Sequence, residues 1–248
     1  MKATIVWTVV LLAAVAAYAE EPTAAEGAPD PKEILRKADA AIKKVDAVRF
    51  SAVSTPTGVA LNFASAAEGE AVLVGWNQEW GMPQRFYVHV ETSREGSEQE
   101  LTGGGNGETF FLIDHASKKA YEDMDPAVMG SSAMTLQRFG MQEFVHSAPF
   151  DDELKAEKIE YQGTETVNGE ACHKVHVEYA GGQGVSTWSF AESDYLPRRR
   201  VLHFSFGDQG EGSLTIEIKK LEIDPEVDAS LFTMKLPAGY EKVNDFAP

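Results

Sequence analysis

The sequence predicts an α+β fold: a strongly curved antiparallel sheet, or incomplete β-barrel, with helices packed on its concave side as a lid. An amphipathic helix pattern opens the folded part of the chain. Short strands with alternating apolar and polar residues follow in two groups. A helical stretch at residues 124–156 separates the two groups. Because a helix that lies on a sheet buries only one stripe, this order favours helices layered on one face of the sheet.

The N-terminus has the three parts of a secretory signal peptide. Lys2 supplies the positive charge, an uncharged apolar run extends from Ala3 to Ala17, and Ala17-Tyr18-Ala19 fits the small-residue cleavage rule. The run is shorter than the roughly 20 residues of a membrane span. We therefore expect residues 1–19 to be a signal peptide, with cleavage near Ala19 and a periplasmic or secreted location.

The organisation after the signal peptide is predicted in two parts. Residues 20–30 are acidic and rich in small residues, and they are interpreted as a disordered leader. Asp30 can cap a helix and Pro31 suits its first position, so a helix of about 16 residues should begin there. Residues 31–248 are predicted to form one domain. Two domains divided near residue 125 are the weaker alternative.

Composition limits the classes of partner. The formal net charge of −17 becomes −18 when the signal peptide removes Lys2, which argues against nucleic acid as a partner. Cys172 is the only cysteine, so no internal disulfide is available, and we interpret it as a small packing residue. A soluble monomer that needs no cofactor is expected.

Strand signals occur on both sides of the helical stretch. Asn168-Gly169 predicts a hairpin turn, and residues 103–107, with four glycines and one asparagine, are interpreted as a flexible turn. The predicted strands are 48–55, 71–76, 85–91, 109–114, 159–166, 171–179, 185–191, 198–206 and 213–221.

Several motifs, in this order, resemble the LolA/LolB-like lipoprotein-carrier superfamily, and in particular its uncharacterised exported members. The motifs are Val74-Gly75-Trp76, Pro83, Arg85-Phe86-Tyr87, Phe110–Asp114, Lys119-Ala120-Tyr121, Trp188-Ser189-Phe190, Leu196-Pro197-Arg198, Asp228–Phe232 and Leu236–Tyr240. The resemblance covers about residues 31–245. It implies an incomplete antiparallel barrel with a helical lid. Carriers hold the lid with an arginine on an early strand; Arg85 is the nearest match, but the alternation of its strand predicts that it points outward.

An apolar groove beneath a lid would suit a lipid or an acylated lipoprotein, because each buried methylene contributes about 0.8 kcal/mol. The predicted groove-lining residues are Trp76, Phe86, Val88, Phe110, Leu112, Phe190, Leu202, Phe204 and Phe206. The predicted lid residues are Met129, Met134, Leu136, Phe139, Met141 and Phe144. The alternative interpretation is that all of these side chains form an ordinary closed core.

No catalytic residue and no metal ligand is predicted. The sequence lacks the zinc-protease, serine-hydrolase and paired-cysteine motifs. His173 and His176 are three residues apart on one strand, which sends them to opposite faces. The run Arg198-Arg199-Arg200 could contact a partner, but we interpret it as balancing local negative charge.

Three functions remain open at this stage. The first is an exported, non-enzymatic protein that holds a lipid, an acyl chain or a lipoprotein in an apolar groove. The second is an envelope protein-interaction or sensor module of the same fold, with a protein partner and no transported ligand. The third is an unrecognised hydrolase, which would need a convergent cluster of a histidine, a carboxylate and a nucleophile.

Overall fold

One twelve-stranded sheet runs through the computed structural model, which describes residues 27–138 and 141–244. The predicted signal peptide and most of the predicted acidic leader lie outside the described residues. The strands are β1 (Ala47–Gly58), β2 (Ala66–Asn77), β3 (Met82–Arg94), β4 (Ser97–Gly105), β5 (Phe110–Asp114), β6 (Lys119–Asp123), β7 (Lys158–Val167), β8 (Glu170–Glu178), β9 (Val185–Ala191), β10 (Pro197–Ser205), β11 (Glu211–Ile223) and β12 (Glu241–Lys242).

The two halves of the chain meet where β1 pairs with β11. The sheet order is β12-β6-β5-β4-β3-β2-β1-β11-β10-β9-β8-β7, and only the short β12 pairs in parallel. The sheet therefore consists of two runs of consecutive antiparallel strands joined by one non-local pairing. The expected α+β fold with an open, curved sheet is confirmed.

The first helix, α1 (Pro31–Ile42), begins where the sequence predicts. The Asp30 side chain accepts a hydrogen bond of 2.9 Å from the backbone N–H of Lys32. The helix has 12 residues and is shorter than predicted, because the backbone turns after Ile42 and leads directly into β1. Its buried side chains are Ile34, Leu35, Ala38 and Ile42.

The predicted helical stretch between the halves contains α2 (Pro126–Gln137), a 3-10 turn at Gln142–Val145 and α3 (Asp151–Leu154). We call residues 124–156 the insertion. Asp125 caps α2 through a 2.7 Å hydrogen bond to the backbone N–H of Ala127. The first turn of α3 is acidic, with Asp151, Asp152 and Glu153. Within the part of the chain that the structure describes, no helix is long and apolar enough to cross a membrane.

Residues 103–105 correct the sequence interpretation, because they belong to the strand β4 and are buried. A side chain at Gly103 would come within 3.3 Å of the Cα atom of Ser132 in α2. A side chain at Gly104 would lie 2.5 Å from the ring of Phe111. The glycines therefore let α2 and an aromatic ring approach the strand closely.

The helices and the insertion cover one face of the sheet, which we call the inner face. Its side chains form the main core and include Phe50, Phe86, Val88, Val175 and Trp188.

The opposite, outer face carries a smaller apolar cluster. Phe111, Ile113 and Ala120 are buried there against Met234 and Tyr240 of the C-terminal segment. Arg85 also lies on this face, as predicted, with its guanidinium 5.2 Å from the ring centroid of Phe232.

Candidate functional site

The insertion packs on the inner face through fully buried apolar side chains. Leu136, Met141 and Phe144 belong to the same core cluster as the strands beneath them. The Phe144 ring lies 5.5 Å from the ring of Phe50 on β1. The insertion therefore occupies the face that the sequence predicts to be a groove.

A partly buried ion pair joins the insertion to the sheet. The Arg200 guanidinium donates a 2.8 Å hydrogen bond to Glu143 in the 3-10 turn. The same guanidinium lies 4.5 Å from the ring centroid of Trp188. Arg200 pairs with Trp188 and Ile216 across the strands, which places it on the inner face. Burial raises the pKa of Glu143, and Arg200 acts in the opposite direction with a smaller effect.

A second polar contact lies beside this pair. The Tyr179 hydroxyl on the sheet donates a 2.6 Å hydrogen bond to Glu153 of α3. It also lies 2.7 Å from the hydroxyl of Ser186. Burial and the charge of Glu153 raise the pKa of Tyr179 to about 12, so its proton is retained. We call the two contacts, Arg200–Glu143 and Tyr179–Glu153, the latch.

Arg200 differs from the two arginines that precede it. Arg198 binds Glu170, and Arg199 binds Glu217, through contacts that do not involve the insertion. The interpretation that this run balances local negative charge agrees with these pairs. Only the third arginine reaches across to the insertion.

Two small cavities flank the latch. One, of about 250 Å³, lies under the insertion and includes Trp76 and His146, whose rings are 4.1 Å apart. The other, of about 270 Å³, is lined by Leu202, Phe204 and neighbouring residues of β9 and β10. Tyr179 and Arg200 line both cavities.

A larger cavity of about 570 Å³ lies where β1 to β4 approach the rim of the sheet. Small residues and four glutamates border it, and His115 follows from the end of β5. Its lining residues are Val53, Ser54, Thr55, Ala66, Ala67, Glu68, Glu91, Thr92, Ser93, Glu98, Gln99, Glu100, His115 and Ala116. This lining is far more acidic than the groove that the sequence predicts.

The predicted groove residues divide into three groups. Phe86, Val88, Phe110, Leu112 and Phe190 are buried in the core beneath the helices.

The other four predicted groove residues border a cavity or are exposed to solvent. Trp76 borders the cavity under the insertion, and Leu202 and Phe204 border the cavity beyond the latch. Phe206 is 51% exposed, so it does not line an enclosed groove in this state. It lies at the rim with Phe63, whose ring is 6.0 Å away.

The predicted lid residues differ in how deeply they are buried. Leu136, Met141 and Phe144 are buried, and Met129 is partly buried against the core. Met134 is 66% exposed, which corrects its predicted position, because it lies on the solvent side of α2. Phe139 lies outside the described residues.

Cys172 has the environment of a packing residue. It is buried beside Val167 and Ala191. Burial raises the pKa of its thiol to about 11, the opposite of the change that activates a nucleophilic cysteine.

The sequence missed the latch. The sequence suggests only local charge balance for Arg200, and it does not indicate that Tyr179, Glu143 or Glu153 takes part in a contact between the insertion and the sheet. Arg200 and Glu143 are 57 positions apart, and only the pairing of β10 with β9 and β11 brings the arginine under the insertion.

An open antiparallel sheet with a helical insertion packed on its inner face defines the fold class of the chain. The chain belongs to the family described as predicted periplasmic protein (DUF2092), which matches residues 32–245. A search of curated proteins finds no match to the sequence.

Solved structures are similar to this chain at low sequence identity. LprF from Mycobacterium bovis is 14% identical, with a TM-score of 0.50 over 86% of this chain and 99% of that one. The lipoprotein LppX from Mycobacterium tuberculosis is 13% identical, with a TM-score of 0.46 over 80% and 97%. A LolA superfamily protein from Nitrosomonas europaea is 9% identical, with a TM-score of 0.33 over 84% and 99%. The expected resemblance to this superfamily is confirmed at the level of the fold.

Proposed function

We propose that the protein is a non-catalytic binding protein of the periplasm that holds a lipid, an acyl chain or the acyl group of a lipoprotein between the inner face and the insertion. Signal-peptide cleavage near Ala19 would release it as a soluble monomer. The observation that carries the proposal is the latch: polar and charged side chains join the apolar insertion to the apolar inner face of the sheet. A buried ion pair is weak evidence for added stability, and a switch is one of its better-attested uses.

The burial energy of the insertion is similar to that of a long acyl chain, so a ligand could replace the insertion on the inner face. Opening would expose Leu136, Met141 and Phe144, each of which contributes roughly 1.5–3 kcal/mol when buried. The total is about 4.5–9 kcal/mol. Ten methylene groups buried in their place contribute about 8 kcal/mol. A long acyl chain could therefore compensate for displacement of the insertion, whereas a short polar ligand could not.

An entry route is available beside the latch. Leu202 and Phe204 line the cavity beyond Arg200. Phe204, Phe206 and Phe63 form an aromatic cluster at the rim, with ring separations of 5.0–6.5 Å. An apolar ligand that arrives at this rim would meet a cavity that leads to the latch.

A fluorescent fatty-acid probe tests the proposal on the purified mature protein. We expect saturable binding, and faster association with Arg200→Met, which loosens the latch. Arg199→Met is the matched control: it makes the same charge change at the adjacent residue, whose partners are Glu165 and Glu217. Absence of binding in all three proteins, together with no lipid in organic extracts by mass spectrometry, would reject the proposal.

The aromatic cluster at the rim favours one alternative, an envelope protein-interaction module. Phe63 is about half exposed and its ring lies 6.0 Å from that of the exposed Phe206, and exposed apolar patches commonly mark binding surfaces. A pull-down from envelope extract, repeated with Phe63→Ser, separates the two functions. One stable protein partner that is lost in this variant, without bound lipid, would favour the alternative.

A further inference from the structure

Two histidines and a glutamate converge on the outer face of the sheet, away from the latch. His89 is on β3, Glu100 is on β4, and His115 follows β5. The carboxylate Oε1 of Glu100 lies 3.7 Å from His89 Nε2 and 3.7 Å from His115 Nδ1. All three potential ligand atoms lie within 4.8 Å of one another. The histidine side chains are 28% and 19% exposed and that of Glu100 is 46% exposed, so a metal ion could reach the group from solvent.

The hydroxyl of Thr102 orients both imidazoles. It lies 3.0 Å from His89 Nδ1 and 2.8 Å from His115 Nε2. A hydroxyl oxygen has two lone pairs, so it can accept a hydrogen bond from both rings. That arrangement leaves lone pairs on His89 Nε2 and His115 Nδ1, the two nitrogens that lie 3.7 Å from Glu100. Fixing a ring through its second nitrogen is how proteins prepare histidines for metal binding.

Negative charge accumulates at the same place. Glu68, Glu91 and Glu100 lie directly opposite one another on β2, β3 and β4. Like charges in directly opposed positions destabilise a sheet. A divalent cation bound at the end of this row would relieve the repulsion.

A second site on the same sheet lacks one of these features. The hydroxyl of Thr187 lies 3.4 Å from His176 Nδ1 and 2.9 Å from His203 Nε2, as Thr102 does with its two histidines. However, the carboxylate nearest to His176 belongs to Glu178, which forms an ion pair of 3.2 Å with Lys158. Among the described residues, only the group at His89 has three convergent ligand atoms.

We propose that His89, Glu100 and His115 form a binding site for one divalent transition metal, with Zn²⁺ as the best fit. Ligand atoms at about 2.0–2.1 Å in a tetrahedron lie about 3.3 Å apart. The two 3.7 Å separations exceed this value by about 0.4 Å, and the separation of the two histidine nitrogens, which is within 4.8 Å, exceeds it by at most about 1.5 Å, so side-chain rotations can close the site. Imidazole nitrogens select zinc over calcium or magnesium.

Three protein ligands leave a coordination position open, as in zinc sites that bind water or a ligand. Glu100 and His115 both line the cavity of about 570 Å³, so the open position would face that cavity. The hydroxyl of Tyr240 lies 3.0 Å from His115 Nδ1 and must give up that hydrogen bond when the metal binds. The metal would therefore also alter the attachment of the C-terminal segment.

Isothermal titration of the mature protein with Zn²⁺ at pH 7.5 tests the site, in the presence of millimolar Ca²⁺ to occupy non-specific carboxylates. We expect one equivalent to bind. His89→Ala, His115→Ala and Glu100→Gln should each weaken binding at least about 10- to 100-fold, since loss of a residue that only hydrogen-bonds to a metal ligand already has that effect. His176→Ala is the matched control and should bind like the wild type.

The results that would overturn the proposal differ from the expected one. No zinc binding, or binding abolished by the added Ca²⁺, would overturn the proposal, as would equal affinity in the wild type and the His115→Ala variant. Circular dichroism spectra of each variant establish that a loss of binding does not reflect a loss of folding. Because the site lies on the outer face, its failure would leave the proposed acyl-binding function untouched.

Discussion

Arg200→Met perturbs the latch at its centre. The substitution removes the guanidinium that binds Glu143 at 2.8 Å and lies over Trp188, but it keeps an apolar stem of similar length. Removal of one partner from a buried ion pair costs about 3–5 kcal/mol, because the other charge remains buried. The lower end applies here, because burial already raises the pKa of Glu143 and favours uptake of a proton. We expect the closed state to lose about 3 kcal/mol.

Hydrogen exchange measured by mass spectrometry resolves where that loss occurs. A change of about 3 kcal/mol corresponds to more than a 100-fold loss of protection when exchange follows the opening equilibrium. We expect the loss in peptides that cover residues 126–154. Peptides from β8 and β9 should keep their protection, because the insertion can open without unfolding the sheet. Arg199→Met should leave the insertion unchanged.

Two results would refute this reasoning. One is unchanged protection of the insertion in Arg200→Met, which would mean that the ion pair does not hold the closed state. The other is an equal loss of protection in the insertion and in β8 and β9, which would mean that the insertion cannot open separately from the sheet.

Other substitutions test the packing and electrostatics of the same elements, all by urea unfolding. Leu136→Ala should lower the free energy of unfolding by about 2–5 kcal/mol because its side chain is buried, whereas Met134→Ala should change it by less than about 0.5 kcal/mol; equal effects would contradict the assigned faces of α2. Gly104→Ala should cost about 1–3 kcal/mol, because its Cβ atom would lie 2.5 Å from an aromatic ring; unchanged stability would contradict the close approach. The raised pKa of Glu143 means that its contribution to stability falls as the pH rises from the ordinary glutamate value through the native one. Glu143→Gln should remove that decline. The hydrogen bond from Arg198 lowers the pKa of Glu170, so the contribution of Glu170 to stability rises with pH, and Glu170→Gln should remove that rise. Identical pH profiles for the two variants would count against both assignments.

Local chemistry predicted the elements that depend on neighbours in sequence. The start of α1 follows from a capping aspartate and Pro31, which act within one turn. The hairpin at Asn168-Gly169 joins β7 and β8 as expected, with both residues at positive φ. The alternation of β3 correctly placed Phe86 inward and Arg85 outward.

Features that depend on tertiary packing are predicted wrongly from the sequence or are not predicted at all. Three consecutive glycines suggest a turn, yet at 103–105 they form a strand because α2 and an aromatic ring need the space that side chains would fill. The latch could not be predicted, because Glu143 and Arg200 meet only after the sheet has formed. The three potential metal ligands come together in the same way, since strand pairing, and not sequence spacing, brings His89 next to Glu100 and His115.

The central claim is that a ligand reaches the inner face only when the insertion moves. A Gly103→Cys and Ser132→Cys pair, in a Cys172→Ala background, would join β4 to α2, because a Cβ atom at position 103 lies 3.3 Å from the Cα atom of Ser132. The decisive measurement is binding of the fluorescent fatty-acid probe to this one protein in its reduced and oxidised forms. We predict binding by the reduced protein and its loss on oxidation. Equal binding by both forms would contradict the account.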